Sequence, residues 1–275
     1  MILDKFSLDG KVAVVTGGGT GLGRAMALAL ARAGADVVVA ARRLEPLNET
    51  AEEIGKLGRK SLAVSVDVTD SRSVNNLIDQ TFTRFNQIDI LVNNAGIATG
   101  VDSSPRDSVR KDPRPLWEIS DEMWHYAIDT NLSGTFYCCR AVAKYMLERN
   151  SGKIINMASS AGIRTVRGEF TYSSAKAGVI GFTKTLALTW ARNNIQVNCI
   201  APAMLLVAEM PTEFLETRSR FAPFGRAGEA KEIGPLAVYL ASNASDYITG
   251  ECFVVDGAGI VGYGPTGLAP VIPLK

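Results

Sequence analysis

Tyr172 and Lys176 stand four apart in the segment YSSAK. Residues at that spacing on a helix share one face, so a phenol and an ammonium point into the same space. A neighbouring cation favours phenolate over phenol, which lowers a pKa of about 10 toward the working range of an acid/base catalyst. A Tyr and a Lys on one helix face are common on protein surfaces, so the pair gains meaning only from its company. The segment TGGGTGLG, residues 16–23, lies between an apolar run and a helical pattern near the N-terminus. Gly17, Gly21 and Gly23 allow a tight turn, close approach of backbone to a pyrophosphate and close helix-to-strand packing. Gly19, Thr20 and Leu22 complete a turn whose helix offers free N–H donors to anionic oxygens. Strand, turn and helix in that order predict a dinucleotide site.

The next apolar run ends in VVVAARR, and its tip selects the cofactor. An acid there would accept hydrogen bonds from the adenine ribose and repel a 2′-phosphate. Ala41 occupies that place, and Arg42 and Arg43 follow with guanidinium forks that match a phosphate. NADP(H) is therefore expected, and NAD(H) is the less favoured alternative. Asp67 and Val68 follow the third run and are candidates to hold the adenine. Asp67 also suits a helix cap before DSRSV, although Asp70 is better placed for that. NNAG (Asn93, Asn94, Ala95, Gly96) closes the fourth run with small residues that let backbone lie beside ribose and nicotinamide, and MASSAG, residues 157–162, closes the fifth.

The elements that must carry these groups read clearly. Residues 11–16, 36–40, 61–66, 88–92, 153–157, 196–200 and 252–255 are short, β-branched and apolar on consecutive positions, as strands of a parallel sheet covered on both faces are. Residues 23–33 and 72–85 carry apolar side chains at helical spacing. The alternation predicts one doubly wound α/β domain over residues 1–275, interrupted by a long loop at 97–115 and an apolar Gly/Pro-rich extension at 260–275. With 29 basic against 28 acidic side chains, net charge +1, no summed field draws the chain to nucleic acid or anionic lipid. No long apolar stretch or signal-peptide pattern is present, so a cytoplasmic location is the default expectation. Four scattered cysteines and one histidine predict core thiols and no metal site, and His125 reads as an ordinary helix residue.

Taken together, these segments resemble the short-chain dehydrogenase/reductase family from about Leu8 to about Gly259, with TGGGTGLG similar to its cofactor turn, NNAG to its sheet-stabilising motif and YSSAK to its Tyr-x-x-x-Lys motif. The resemblance implies a Rossmann-like fold of about seven parallel strands with helices on both faces. By position it implies that Ser159, three residues before Gly162, is the catalytic serine. It also implies that Asn131 kinks a helix and holds a water of a proton relay, and that Pro202 belongs to the cofactor loop after the sixth strand. Tyr172 would exchange a proton with the substrate oxygen, Ser159 would hydrogen-bond that oxygen, and Lys176 would bind the nicotinamide ribose. Where the family reads Pro-Gly and then a threonine, this chain has Ala203 and Val207, so a side-chain anchor for the carboxamide is lost. The apolar run 204–210 with Phe214 suits either a lid over an apolar substrate or a core helix. Apolar residues Ala141, Val142, Met146, Val179, Phe182 and Leu186 would pair across subunits, implying a homotetramer or homodimer.

The expected activity is NADP(H)-dependent exchange of hydride with a ketone, aldehyde or secondary alcohol. Reduction of a 3-oxoacyl thioester ranks second. Arg106, Arg110, Lys111, Arg114, Arg164 and Arg167 would grip an acidic carrier, and Asp102, Asp107 and Asp112 dilute that charge. Sugar or polyol oxidation stands beside it. A cofactor-binding sensor or scaffold is the non-enzymatic alternative, and it is disfavoured because Tyr172, Lys176 and Ser159 are all retained.

Overall fold

The computed structural model describes residues 1–97, 115–165, 167–203, 205–206 and 223–261. The seven apolar runs form β1 (Val12–Thr16), β2 (Asp36–Ala41), β3 (Ser61–Ser65), β4 (Ile90–Asn93), β5 (Gly152–Met157), β6 (Ile195–Pro202) and β9 (Cys252–Val255). They make one parallel sheet in the order β3-β2-β1-β4-β5-β6-β9. Alternate strand residues point to opposite faces, and here both faces are covered. Ala13, Val15, Val37 and Val39 pack on one side with Met26, Leu30, Leu47 and Leu240. Val14, Val38 and Leu91 pack on the other with Leu77, Ile78, Val142 and Met146. This is the physical reason the runs are apolar at every position instead of every second one.

The covering helices are α1 (Gly21–Arg32), α2 (Leu44–Lys56), α3 (Ser71–Phe85), α4 (Asp121–Ile128), α5 (Gly134–Arg149), α6 (Ser160–Ile163), α7 (Phe170–Trp190) and α8 (Gly234–Ala241). Asp70 caps α3 by accepting from the Arg72 N–H at 2.9 Å, as its position predicts. The chain moves outward from β1 to β2 and β3, then returns to place β4 on the other side of β1. That reversal opens a crevice at the carboxyl ends of β1 and β4, where ligands bind in such sheets.

Two expectations change. Val142, Met146 and Val179 are completely buried within the single chain, so they build its own core and are not available to a partner subunit. The helix periodicity marks an apolar face without telling which body covers it. Leu205 and Leu206 form a short strand, β7, paired with β8 (Gly228–Glu229), so at these two positions the 204–210 run is extended and not helical. A two-residue ladder has no periodicity to read. The helix leading to Asn131 ends at Ile128, and residues Asp129–Ser133 form a π-helical turn before α5. His125 lies exposed on α4. Cys138, Cys139 and Cys199 are buried free thiols and Cys252 is a half-buried one, and burial pushes the Cys138 thiol up to about 12. Val207, Phe214, most of the 97–115 loop and all but the first two residues of the 260–275 extension lie outside the described residues. Among the described residues no helix is long and apolar enough to cross a membrane.

Candidate functional site

The turn after β1 is built from close contacts that exclude side chains. Gly17 and Gly21 adopt left-handed backbone, with φ of +65° and +53°. A Cβ on Gly23 would lie 2.1 Å from the Gly17 carbonyl oxygen and 2.4 Å from Asn94 Nδ2. Asn94 fastens this turn to the end of β4: its Nδ2 donates to the carbonyls of Thr16 at 3.1 Å and Gly17 at 3.2 Å. The Thr16 hydroxyl in turn accepts from the N–H groups of Asn94 and Ala95, each at 3.0 Å. Gly19 lies against Pro46 at the start of α2, and Leu22 packs on the core under α1. Thr20 is the N-cap residue of α1 in extended backbone, and its side chain does not cap the helix. A helix N-terminus left uncapped beside a glycine turn suits a pyrophosphate. Gly23→Ala should therefore weaken nicotinamide dinucleotide binding at least about tenfold and lower stability by about 1–3 kcal/mol of overpacking. A fluorescence titration and a thermal melt check this, and unchanged affinity would show that the turn does not hold the cofactor.

At the tip of β2, Arg42 and Arg43 are exposed. The Arg42 carbonyl accepts from the Ser65 hydroxyl at 3.1 Å. Arg43 is the N-cap residue of α2. Neither guanidinium pairs with a carboxylate among the described residues. Asp67 Oδ1 accepts from Thr69 Oγ1 at 2.7 Å and the Thr69 N–H at 2.9 Å. The Thr69 hydroxyl holds the Asp67 carboxyl below its ordinary range, burial opposes, and the charge of Arg42 adds to the lowering. Val68 is buried where α5 begins, and a Cβ on Gly134 would come within 2.9 Å of its Cγ2.

Beyond β5, Ser159 is the N-cap residue of α6, and its hydroxyl accepts from the Ala161 N–H at 3.1 Å. A Cβ on Gly162 would lie 2.6 Å from the Lys176 carbonyl carbon, so this glycine seats α6 directly on α7. That contact sets Ser159 beside Tyr172, where its hydroxyl acts on the phenol, while the Lys176 ammonium stands 5.7 Å from the Tyr172 ring centre. Lys176 is buried and donates to the Met157 carbonyl at 2.8 Å, and burial pulls its pKa down to about 8. The Tyr172 phenol is raised from its ordinary value: burial is the main cause, the Ser159 hydrogen bond opposes it, and the charge of Glu169 adds to it. The direction is upward where the Tyr/Lys spacing alone predicts downward, because removing the phenol from water is the largest influence on it.

Asn131 is buried in the π-helical turn, donates from Nδ2 to the Ala127 carbonyl at 3.0 Å and accepts at Oδ1 from the Ile97 N–H at 3.2 Å. A Cβ on Gly96 would stand 2.7 Å from Asn131 Oδ1 and 3.4 Å from Lys176 Nζ. The bare backbone of Gly96 thus lies between those two groups, and Asn131, Ser159, Tyr172 and Lys176 form one cluster at the ends of β4 and β5. Pro202 ends β6, and the following Ala203 N–H donates to the Val255 carbonyl at 3.1 Å. Sequence reasoning missed the buried chain that fixes this cluster from beneath. Asn93 Nδ2 donates to Asn156 Oδ1 at 2.9 Å, Asn156 Nδ2 to Thr183 Oγ1 at 2.9 Å, and Thr183 to the Val179 carbonyl at 2.8 Å. The available signal was an asparagine inside each of two apolar strands, paired in register.

The turn, the uncapped helix, the strand tip and the bare Gly96 backbone fit a nicotinamide dinucleotide. The short chain dehydrogenase family model matches residues 11–219. Over 253 residues the chain is 39% identical to the 3-oxoacyl-[acyl-carrier-protein] reductase of Synechocystis sp., covering 91% of this chain and 97% of that one. Over 270 residues it is 40% identical to the 2-dehydro-3-deoxy-D-gluconate 5-dehydrogenase of Escherichia coli, covering 94% and 98%. The crystal structure of a short-chain type dehydrogenase/reductase from Mycobacterium marinum superposes with a TM-score of 0.83 at 34% identity, covering 94% of this chain and 98% of that one. The chain belongs to the short-chain dehydrogenase family of oxidoreductases, which bind nicotinamide cofactors.

Proposed function

We propose that this oxidoreductase is NADP(H)-dependent and interconverts ketones or aldehydes with the corresponding alcohols. The observation that carries the reading is the single cluster of Tyr172, Ser159, Lys176 and Asn131 beside the glycine turn. When bound, the nicotinamide accepts or supplies the hydride. Tyr172 Oη gives its proton to the substrate oxygen in reduction and takes it back in oxidation, and Ser159 Oγ hydrogen-bonds the same oxygen as negative charge develops there. Lys176 supplies a donor to ribose hydroxyls and a positive charge to the phenolate. Asn131 holds the water through which Tyr172 and Lys176 are reprotonated. Gly17, Gly19, Thr20, Gly21, Leu22 and Gly23 cradle the pyrophosphate, Asp67 and Val68 bound the adenine, and Asn94, Ala95, Gly96 and Pro202 border the nicotinamide half.

Preference for NADP(H) over NAD(H) rests on Ala41, Arg42 and Arg43. Two guanidinium groups without carboxylate partners among the described residues suit a 2′-phosphate, and no acid at the strand tip repels it. Arg42→Ser should weaken NADPH at least about tenfold, the worth of one charge-assisted hydrogen bond, and NADH much less. Equal losses in parallel titrations would remove the basis for the preference.

Similarity to an acyl-carrier reductase and to a sugar-acid dehydrogenase supports two narrower readings, a 3-oxoacyl thioester or a polyol-type substrate. Of the basic residues expected to grip a carrier, Arg164 and Arg167 are described and exposed, and Arg164 Nη1 donates to the Ile260 carbonyl at 3.1 Å. NADPH oxidation followed against a panel of simple ketones, keto sugars and a 3-oxoacyl thioester tests the reading. Turnover of one class assigns the substrate. Tight NADPH binding with no turnover of any class would favour a sensor instead.

A further inference from the structure

A pair of thiols that none of the roles above uses stands at the edge of the sheet. β6 and β9 run parallel, and their register sets Cys199 opposite Cys252. In-register neighbours point to the same face of a sheet, and both cysteines belong there to the small apolar cluster of Ala158, Val179 and Ala201. Adjacent strands lie about 4.8 Å apart, within the roughly 4.4–6.8 Å between Cα atoms that a disulfide spans. Because β9 is the outer strand, the pair has an outer and an inner member: Cys252 is half-buried, and Cys199 behind it is only 1% exposed. The outer thiol is also the more acidic. Its neighbour Cys199 is the main influence holding Cys252 below its ordinary range; burial opposes, the Lys184 ammonium adds to the lowering, and the Glu251 charge opposes it. The same neighbour relation, followed by burial, pushes the Cys199 thiol up. Oxidants attack the thiolate form at an accessible sulfur. Cys138 and Cys139 meet neither condition, since burial raises both thiols, and as consecutive residues of α5 they face different ways.

We infer that Cys199 and Cys252 form an oxidant-sensitive dithiol, a modification site for hydroperoxides that closes to a disulfide joining β6 to β9. The Cys252 sulfur attacks one peroxide oxygen and the O–O bond breaks. The leaving hydroxide takes up the proton that Cys252 released, forming water and a sulfenic acid on Cys252. The Cys199 sulfur then attacks the Cys252 sulfur, the S–O bond breaks, and hydroxide leaves with the Cys199 proton as a second water. The sulfur pair loses two electrons and the peroxide gains them. The finished bond holds its Cβ atoms about 3.8 Å apart, closer than the strand spacing, so it is strained and a dithiol reductant reopens it.

The test treats the full chain with a small molar excess of hydrogen peroxide, then denatures it, alkylates the remaining thiols and maps the peptides. Free thiols should fall from four to two, with Cys199 and Cys252 joined in one peptide pair, and dithiothreitol should restore all four. In Cys252→Ser, where the change falls at a half-buried position, the remaining thiols should all stay free. In Cys199→Ala the reaction should stop at a Cys252 sulfenic acid that dimedone traps. Thermal melts on both variants confirm that they are folded, and either variant alone suffices to judge the pair. A wild type that keeps four thiols overturns the inference. So does a bridge between two chains through Cys252, oxidation of Cys138 and Cys139 as fast as of this pair, or a Cys252→Ser variant that loses thiols like the wild type.

Discussion

Tyr172→Phe is expected to lower turnover by about 10²–10⁴-fold, the span typical of a lost general acid/base, while NADPH affinity stays nearly unchanged. The substitution keeps the ring, so the packing on α7 and the Lys176 ammonium 5.7 Å from its centre persist. Only the oxygen disappears, and with it the proton that the substrate oxygen needs as the carbon–hydrogen bond forms. In the proposed mechanism the same oxygen fixes the pH behaviour of the unmodified enzyme. Burial raises the phenol above its ordinary value. Reduction, which uses the phenol, should therefore run undiminished through neutral pH, and oxidation, which uses the phenolate, should climb toward alkaline pH. Steady-state rates in both directions, with cofactor titrations on each variant, measure this. Near-normal turnover in Tyr172→Phe would remove Tyr172 from the chemistry.

Lys176→Met should change stability and activity in opposite directions. The Lys176 ammonium is buried and its pKa is drawn down to about 8 by desolvation, so at neutral pH the fold holds a charge that water would favour. The depression from its ordinary value corresponds to a cost on the order of 3 kcal/mol. A methionine of similar length fills the space without that charge, and the variant should melt higher at pH 7. The sign of the pH dependence follows from linkage. Above pH 8 the unfolded wild-type chain binds more protons at this lysine than the folded one, so wild-type stability rises with pH. The variant's advantage should therefore shrink between pH 8 and about 10. Turnover should fall by about 10²-fold or more, since the phenolate loses its cation and the ribose a donor. Melting curves across pH, paired with rates, test both halves. A variant that melts lower at pH 7 would mean that the bond to the Met157 carbonyl outweighs the desolvation.

Cysteine placement shows how far composition alone carries. Four scattered residues argue against a disulfide framework, and all four are free thiols. Composition does not reveal that Cys139 lies against Asn93, within hydrogen-bond reach at 3.2 Å, beneath the site. Three of the six residues expected to pair across subunits belong to the chain's own core, while Ala141, Phe182 and Leu186 are half-buried. An apolar stripe on α5 and α7 is legible, but Val142, Met146 and Val179 face the chain's own sheet. The exposed apolar residues of those helices include Phe136 and Leu188.

What the sequence determined by itself is what short-range geometry governs. Seven runs apolar at consecutive positions demand a sheet covered on both sides. Glycines at 17, 21 and 23 allow a turn that no side chain permits, and a four-residue step places Tyr172 and Lys176 together. What only the tertiary structure decided is the environment those groups meet. The tyrosine's acidity is set by the depth to which α6 and α7 bury it and by Ser159 and Glu169 beside it. Asn93, Asn156 and Thr183 find one another only because β4, β5 and α7 converge from positions far apart in the chain. Desolvation and long-range hydrogen bonds depend on what surrounds a residue in space, and no local spacing encodes that surrounding.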